Sequence, residues 1–173
     1  MRGLSAQQNR TKPLYTAEQR VRRDASRWTL VQGVLAPIQF LVFLISACLV
    51  VRFLVTGDGA SAATVSVIIK TLLLYTIMIT GSIWEKDVFG QYLFVEAFYW
   101  EDVFSMLVLA LHTAYLAAAF TGWLSIDQQM WLALAAYAAY VINAAQFIIK
   151  LRAARLDARE APAVMPRYAE AAE

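Results

Sequence analysis

The sequence predicts an all-α integral membrane protein with four transmembrane helices, and three observations carry that reading. First, 60% of the 173 residues are hydrophobic and 16% are charged, whereas an average soluble domain is about half apolar and about a quarter charged. Second, the uncharged residues lie in long blocks separated by short polar ones. Third, the blocks Leu30 to Val51, Val103 to Leu124 and Gln128 to Ile149 each run 22 residues without a charge. At about 1.5 Å per helical residue, each is long enough to cross a bilayer. A further block, Gly59 to Trp84, runs 26 residues with one charge, Lys70.

The chain divides into a basic arm over residues 1–27, a transmembrane domain over 28–151 and a largely disordered tail over 152–173. The arm carries seven basic residues against Glu18 and Asp24. It is expected to be loose through Pro13. Thr16 then starts a short helix, with Gln19 completing a capping box. A basic arm of this kind suits anionic headgroups. Arg22-Arg23 is not a twin-arginine signal, because Asp24, Ser26 and Arg27 stand where an apolar core would begin.

On the first span, Trp28 is an interfacial anchor. Gln32, Gln39 and Ser46 recur every seven residues, so they share a face that turns toward protein rather than lipid. Pro37 is expected to kink the helix near that face. Thr56-Gly57-Asp58-Gly59 reads as a turn. On the second span, Thr71, Tyr75, Met78, Ser82 and Glu85 form a polar-flecked helical face. Lys70 is costly in lipid unless paired or able to reach the interface. It lies about 12 to 16 Å from the outer end of its helix, and snorkelling is favoured over an inward role.

Glu85 to Asp102 is an acidic, aromatic connector, which suits the headgroup region better than free solution, with Gly90 as a bend. The third span contains the only histidine, His112. Asp127 is the expected cap of the fourth, on which Tyr137, Tyr140, Asn143 and Gln146 step by three along an inward stripe. Four spans bring both termini to one side, and the basic residues at each end make that side cytoplasmic. The single cysteine, Cys48, sits in an apolar run and reads as a small buried apolar residue.

Chemistry concentrates between Trp84 and Tyr115, which holds two Trp-Glu doublets and five of the thirteen acids. In an antiparallel hairpin, Glu85 and Glu101 lie at similar depth, each beside a tryptophan that keeps water from one flank. A carboxyl half-removed from water and near another holds its proton more tightly, which suits a donor near neutrality. Asp102 is a candidate to orient water, although acids in a helix's first turn also simply satisfy its dipole. His112 follows Glu101 by eleven residues on the same face, about 16 Å along the axis. A neutral imidazole there needs an interhelical hydrogen bond or a metal. The net charge of +2 gives no case for a nucleic-acid partner. No cysteine pair, second histidine or Gly-rich phosphate loop supports zinc, iron–sulfur or nucleotide chemistry.

Four strings resemble the 3-vinyl bacteriochlorophyllide hydratases of bacteriochlorophyll biosynthesis. They are RRDASRWTLVQGVLAPIQFLVF from Arg22, KTLLLYTIMITGSIWEKDVFG from Lys70, WEDVFSMLVLALHTAYLAA from Trp100 and AAYAAYVINAAQFIIKLRAARL from Ala135. With their surroundings they extend from about residue 14 to residue 157. The resemblance implies addition of water across the vinyl group of a chlorophyllide-type pigment, giving a 1-hydroxyethyl group. It also implies a multi-pass protein in the cytoplasmic or intracytoplasmic membrane of a photosynthetic bacterium. The partners are then the tetrapyrrole, water and the bilayer, with a second copy or another pigment-pathway enzyme as a further candidate.

That reaction needs an acid, a group to orient water and a flat apolar slot, and no cofactor beyond the magnesium carried by the substrate. Glu101 is the expected acid, with Glu85 or Asp102 orienting the water. His112 is expected to ligate the substrate's magnesium or hydrogen-bond the ring. Trp84, Tyr99 and Trp100 would stack on the pigment, and Lys86 would meet its propionate. The rival readings are a pigment carrier, which needs the aromatic slot and histidine but not the acids, and a small transporter. The transporter is disfavoured because only Lys70 and His112 lie mid-membrane and no inverted repeat is visible.

Overall fold

The computed structural model describes residues 14–160, with side chains as far as residue 156. The loose front expected through Pro13, and the tail positions Pro162, Pro166 and Arg167, lie outside the described residues. Five helices follow in order: α1 (Ala17–Ala25), α2 (Arg27–Thr56), α3 (Ala60–Phe89), α4 (Tyr99–Thr121) and α5 (Ile126–Glu160). The last four are long and apolar enough to cross a membrane.

Local chemistry sets most of the boundaries. The Thr16 hydroxyl accepts from the Gln19 N–H at 3.2 Å, and Gln19 Oε1 accepts from the Thr16 N–H at 2.9 Å. That is the capping box expected from the sequence, and it satisfies two N–H groups at the start of α1. Ser26 caps α2, accepting from the Trp28 N–H at 3.2 Å. Pro37 lies inside α2, which runs on without a break. Gly57 closes α2 in the left-handed region, and Gly59 opens α3.

Two boundaries differ from the sequence reading. At α5 the cap is Ser125 rather than Asp127: the Gln128 N–H donates to Ser125 Oγ, and Gln128 Oε1 accepts from the Ser125 N–H. Asp127 instead sits in the first turn, where its charge suits the helix dipole. At the other end of the hairpin, α3 continues past Trp84 and Glu85 to Phe89. It stops at Gly90, whose φ of 86° lets its N–H close back on the Lys86 carbonyl at 3.0 Å. The segment linking α3 to α4 is therefore residues 90–98, and Glu85 belongs to the helix.

Packing pairs α2 with α3 and α4 with α5, and further contacts of α2 with α5 and of α3 with α4 and α5 close the bundle. Large apolar residues such as Leu30, Val55, Phe120, Trp131 and Ile148 point outward, as lipid-facing positions should. The core has an apolar half around Phe43, Val50, Val67, Tyr115 and Met130. Near the other end, Tyr15, Phe89, Phe98, Trp84 and Phe147 pack together, with ring centroids 5.7 to 5.9 Å apart for several pairs. Tyr15 thereby docks α1 onto α3. Burial pushes its phenol up to about 12 against the pull of the Arg23 guanidinium, so the ring packs in its neutral form.

Both polar stripes face inward as their spacing required. Gln39 and Ser46 are buried, and Gln32 donates to Thr80 Oγ1 at 2.8 Å. Tyr137 and Asn143 are buried on α5. Lys70 overturns the snorkelling expectation. It is fully buried, with Nζ 3.9 Å from the centroid of the Tyr140 ring. The inward stripe of α3 passes through residues 67, 70, 71 and 74, so Lys70 shares the face that packs against the bundle and cannot turn outward without rotating the whole helix.

Candidate active site

At the end of the bundle where α3 leaves and α4 begins, three carboxylic acids lie inside the protein. Glu85 is 5% exposed, Glu101 6% and Asp102 2%. Glu85 comes from the last turn-and-a-half of α3, and the other two from the first turn of α4. Each acid has a distinct environment.

Glu101 Oε2 lies 2.5 Å from Lys150 Nζ, contributed by α5. The same ammonium donates to the Ala97 carbonyl at 2.6 Å. This is a charge-assisted bond in a largely desolvated setting. Asp102 Oδ2 accepts from the Phe94 N–H at 2.6 Å, tying the connecting segment to the helix. Phe94 is the one non-glycine among the described residues with positive φ, at 58°, a conformation that costs about 1–3 kcal/mol and needs its surroundings to hold it. The Asp102 hydrogen bond is one of those holds.

The Glu85 and Asp102 carboxyls lie within hydrogen-bonding reach of each other. Two carboxyl groups in that relation form a hydrogen bond only when one of them keeps its proton, because two carboxylates offer no donor. Glu85 Oε2 finds no other protein partner. One layer deeper, Asn143 Nδ2 donates to Ser105 Oγ at 2.8 Å, linking α5 to α4.

The remaining residues singled out in the sequence fall into different places. Trp84 is packed among Phe89 and Phe98, and its indole N–H donates to Thr29 Oγ1 at 2.9 Å, so it closes the layer rather than facing outward. Tyr99 and Trp100 are exposed, their rings 5.6 Å apart at 85°. Phe94 lies 6.0 Å from Tyr99. Lys86 is exposed, donates to the Gly90 carbonyl at 2.8 Å and lies 5.4 Å from the Tyr92 ring.

His112 is fully buried three turns further along α4. Its Nδ1 lies 2.8 Å from the Val108 carbonyl. A carbonyl only accepts, so Nδ1 carries the proton and Nε2 presents a lone pair that no protein group meets. The carboxyl layer and His112 are thus separate places in the bundle.

Sequence reasoning missed Lys150 as a member of the layer. A signal was present, since Lys150 continues the α5 stripe seven residues past Asn143. The partnership of Glu85 with Asp102 rather than Glu101 had no such signal. It depends on how α3 and α4 are rotated about their axes.

Comparison with known proteins follows the same residues. The family model of 2-vinyl bacteriochlorophyllide hydratase matches residues 15–153. The chain is 67% identical over 154 residues to the 2-vinyl bacteriochlorophyllide hydratase of Rhodobacter capsulatus, covering 89% of this chain and 90% of the relative. It is 70% identical over 144 residues to the protein of the same name from Cereibacter sphaeroides, covering 83% and 89%. No solved structure matches it.

Proposed function

Because the chain belongs to the 2-vinyl bacteriochlorophyllide hydratase family, and so hydrates the bacteriochlorophyllide vinyl group, we propose that Glu85 and Asp102 supply the proton. The observation that carries this is a buried pair of interacting carboxyls, which can share one transferable hydrogen. The shared proton goes to the terminal carbon of the vinyl group, and the π electrons of that double bond form the new C–H bond. The cation left on the carbon beside the ring is delocalised over the macrocycle. Water attacks that carbon, forming the C–O bond, and its surplus proton returns to the carboxyl pair. The net change is one water added and the catalyst regenerated.

The pair is suited to both halves of that cycle. Giving up its proton leaves two adjacent carboxylates out of bulk water, an arrangement that draws a proton back. Glu101, engaged by Lys150, is assigned to holding the layer together, and the donor's role goes to the neighbouring pair.

The pigment's approach follows from exposure. Tyr99 and Trp100 present aromatic faces on the outer side of α4's first turn, next to the carboxyl layer, and are proposed to receive the flat ring. Lys86 is free to exchange its bond to the Gly90 carbonyl for a propionate. Trp84, tied to Thr29, backs the layer. His112 follows Asp102 by ten positions (112 − 102), about 15 Å along the helix. That exceeds the distance from the centre of a tetrapyrrole to its own vinyl substituent. That separation argues against one pigment placing its vinyl group at the carboxyl pair and its magnesium on His112, and we assign His112 another role. The basic residues of α1 and of the last turns of α5 favour a cytoplasmic placement of this end, in the cytoplasmic or intracytoplasmic membrane.

The test is hydration in membranes given a vinyl pigment, followed by the blue shift as the vinyl leaves conjugation. Glu85→Gln and Asp102→Asn should each slow it by about a hundredfold or more, with pigment binding retained. Hydration at the unaltered rate in both variants would overturn the assignment and leave the carboxyl pair a structural feature.

A further inference from the structure

The carboxyl layer is one end of a longer polar file. Among the described residues, buried side-chain atoms without a hydrogen-bond partner in the protein belong to Gln39, Lys70, His112, Asn143 and Gln146. They come from all four long helices, yet every one lies on the inward stripe of its helix. Contacts, single helix turns and one electrostatic influence set them in order along the bundle. Asn143 is bonded to Ser105 beneath the carboxyl layer. One turn along α5 from Asn143 is Tyr140, whose ring carries Lys70 Nζ at 3.9 Å. Lys70 lies within electrostatic range of His112, whose ring is 5.9 Å from Tyr137. Gln39 stands one turn from Phe43, which packs on both Tyr137 and Tyr140 at 5.4 and 5.0 Å.

Orphans on this scale are costly. Each buried donor or acceptor left unmade costs about 1–3 kcal/mol, and a bilayer supplies nothing from the sides. A lysine nitrogen resting on one aromatic face still has hydrogens to place. The chemistry of the orphans says what fills the file. Lys70 Nζ has hydrogens to donate; Asn143 Oδ1, Gln146 Oε1 and the Nε2 of His112 accept; Gln39 is open at both its donor and its acceptor. An anion would satisfy Lys70 and leave the acceptors unmet, and a cation would do the reverse. A ligand that donates and accepts at once, and is small enough to sit between packed helices, is water.

We propose that ordered water occupies this file from Lys70 and His112 to Glu85, and that it is the store from which the hydration reaction draws its water. Delivery rests on the carboxyl pair's role argued above; occupancy by water does not. The arrangement has a physical reason. The aromatic layer of Tyr15, Trp84, Phe89, Phe98 and Phe147 packs beside the carboxyl layer, and a flat pigment arriving at Tyr99 and Trp100 covers that end further. Water reaching the pair from inside the bundle is not displaced by the substrate it must attack.

Hydroxyl-radical footprinting of the intact protein in membranes reads the first claim, because radicals formed from bound water mark the side chains beside it. Tyr140 and Tyr137 should be labelled despite their burial, and several-fold less in Gln39→Leu and Lys70→Met. Tyr140 labelled no more than lipid-facing Phe40 would overturn occupancy. Turnover reads the second claim. Gln39→Leu and Lys70→Met should each lower kcat several-fold with pigment KM unchanged, and an unchanged kcat in a variant that has lost labelling would overturn delivery. If Lys70→Met does not fold, Gln39→Leu alone decides both. Failure of the carboxyl assignment shows separately, as full activity in Glu85→Gln with labelling intact.

Discussion

At the Tyr99 end of α4, the polar side chains of the inner face meet partners from other segments. Glu101 meets Lys150 of α5, Asp102 meets the Phe94 N–H and Glu85, and Ser105 meets Asn143. Three turns further along the same face, His112 Nε2 has no hydrogen-bond partner in the protein, and neither does Lys70 Nζ, which rests on the Tyr140 ring. Both regions are buried, and both belong to one helix stripe. The difference teaches that burial of polar groups serves two purposes here. Matched groups hold the carboxyl layer in a fixed geometry. Unmatched groups keep the interior wet.

The comparison breaks most readily at Lys150. Lys150→Met leaves Glu101 charged and unpaired, and should destabilise the fold by about 3–5 kcal/mol, read as thermal unfolding in detergent. Adding Glu101→Gln should restore most of that, because the amide carries no charge to leave stranded. Equal stability of the single variant and the parent would mean that the first region is not a matched network.

A smaller effect is expected where Asp102 holds the connecting segment. Asp102→Leu should raise hydrogen exchange at the Phe94 amide, whereas Asp102→Asn keeps an acceptor oxygen and should not. Loss of that one bond is worth about 1.5–3 kcal/mol when the acceptor is charged. Exchange unchanged in Asp102→Leu would show that Phe94 is held by other contacts.

His112 sharpens the contrast from the other side. His112→Phe should leave pigment affinity intact and reduce Tyr137 labelling, as expected of a wall of the wet region. A tenfold loss of affinity, which is about 1.4 kcal/mol, would return His112 to the substrate's magnesium. At the bottom of the scale, Ser125→Ala removes the α5 cap and should cost about 1 kcal/mol. Cys48→Ala, on the exposed face of α2, should stay within about 0.5 kcal/mol of the parent.

Much of the bundle was legible along the chain. Charge-free runs long enough to cross a bilayer marked the spans, Thr16 and Gln19 marked the start of α1, and the spacing of Gln39 and Ser46 marked an inward face. These are local signals, readable within one helix or one turn. The same holds for the acids: Glu85, Glu101 and Asp102 stand out in a chain with so few charges. Asp127 was misread as a cap because it too favours a helix start, and only the hydrogen bonds show that Ser125 occupies the position.

What the residues determined alone was therefore which segments span, which stripe of each helix turns inward, and which side chains bring reactive chemistry. What only the tertiary structure decided was who meets whom: Glu85 with Asp102, Glu101 with Lys150, Lys70 with Tyr140 instead of the interface. The reason is geometric. Helical periodicity specifies a direction around one axis, but contact between two helices depends on their relative rotation and axial offset. Those are set by the packing of all four helices at once.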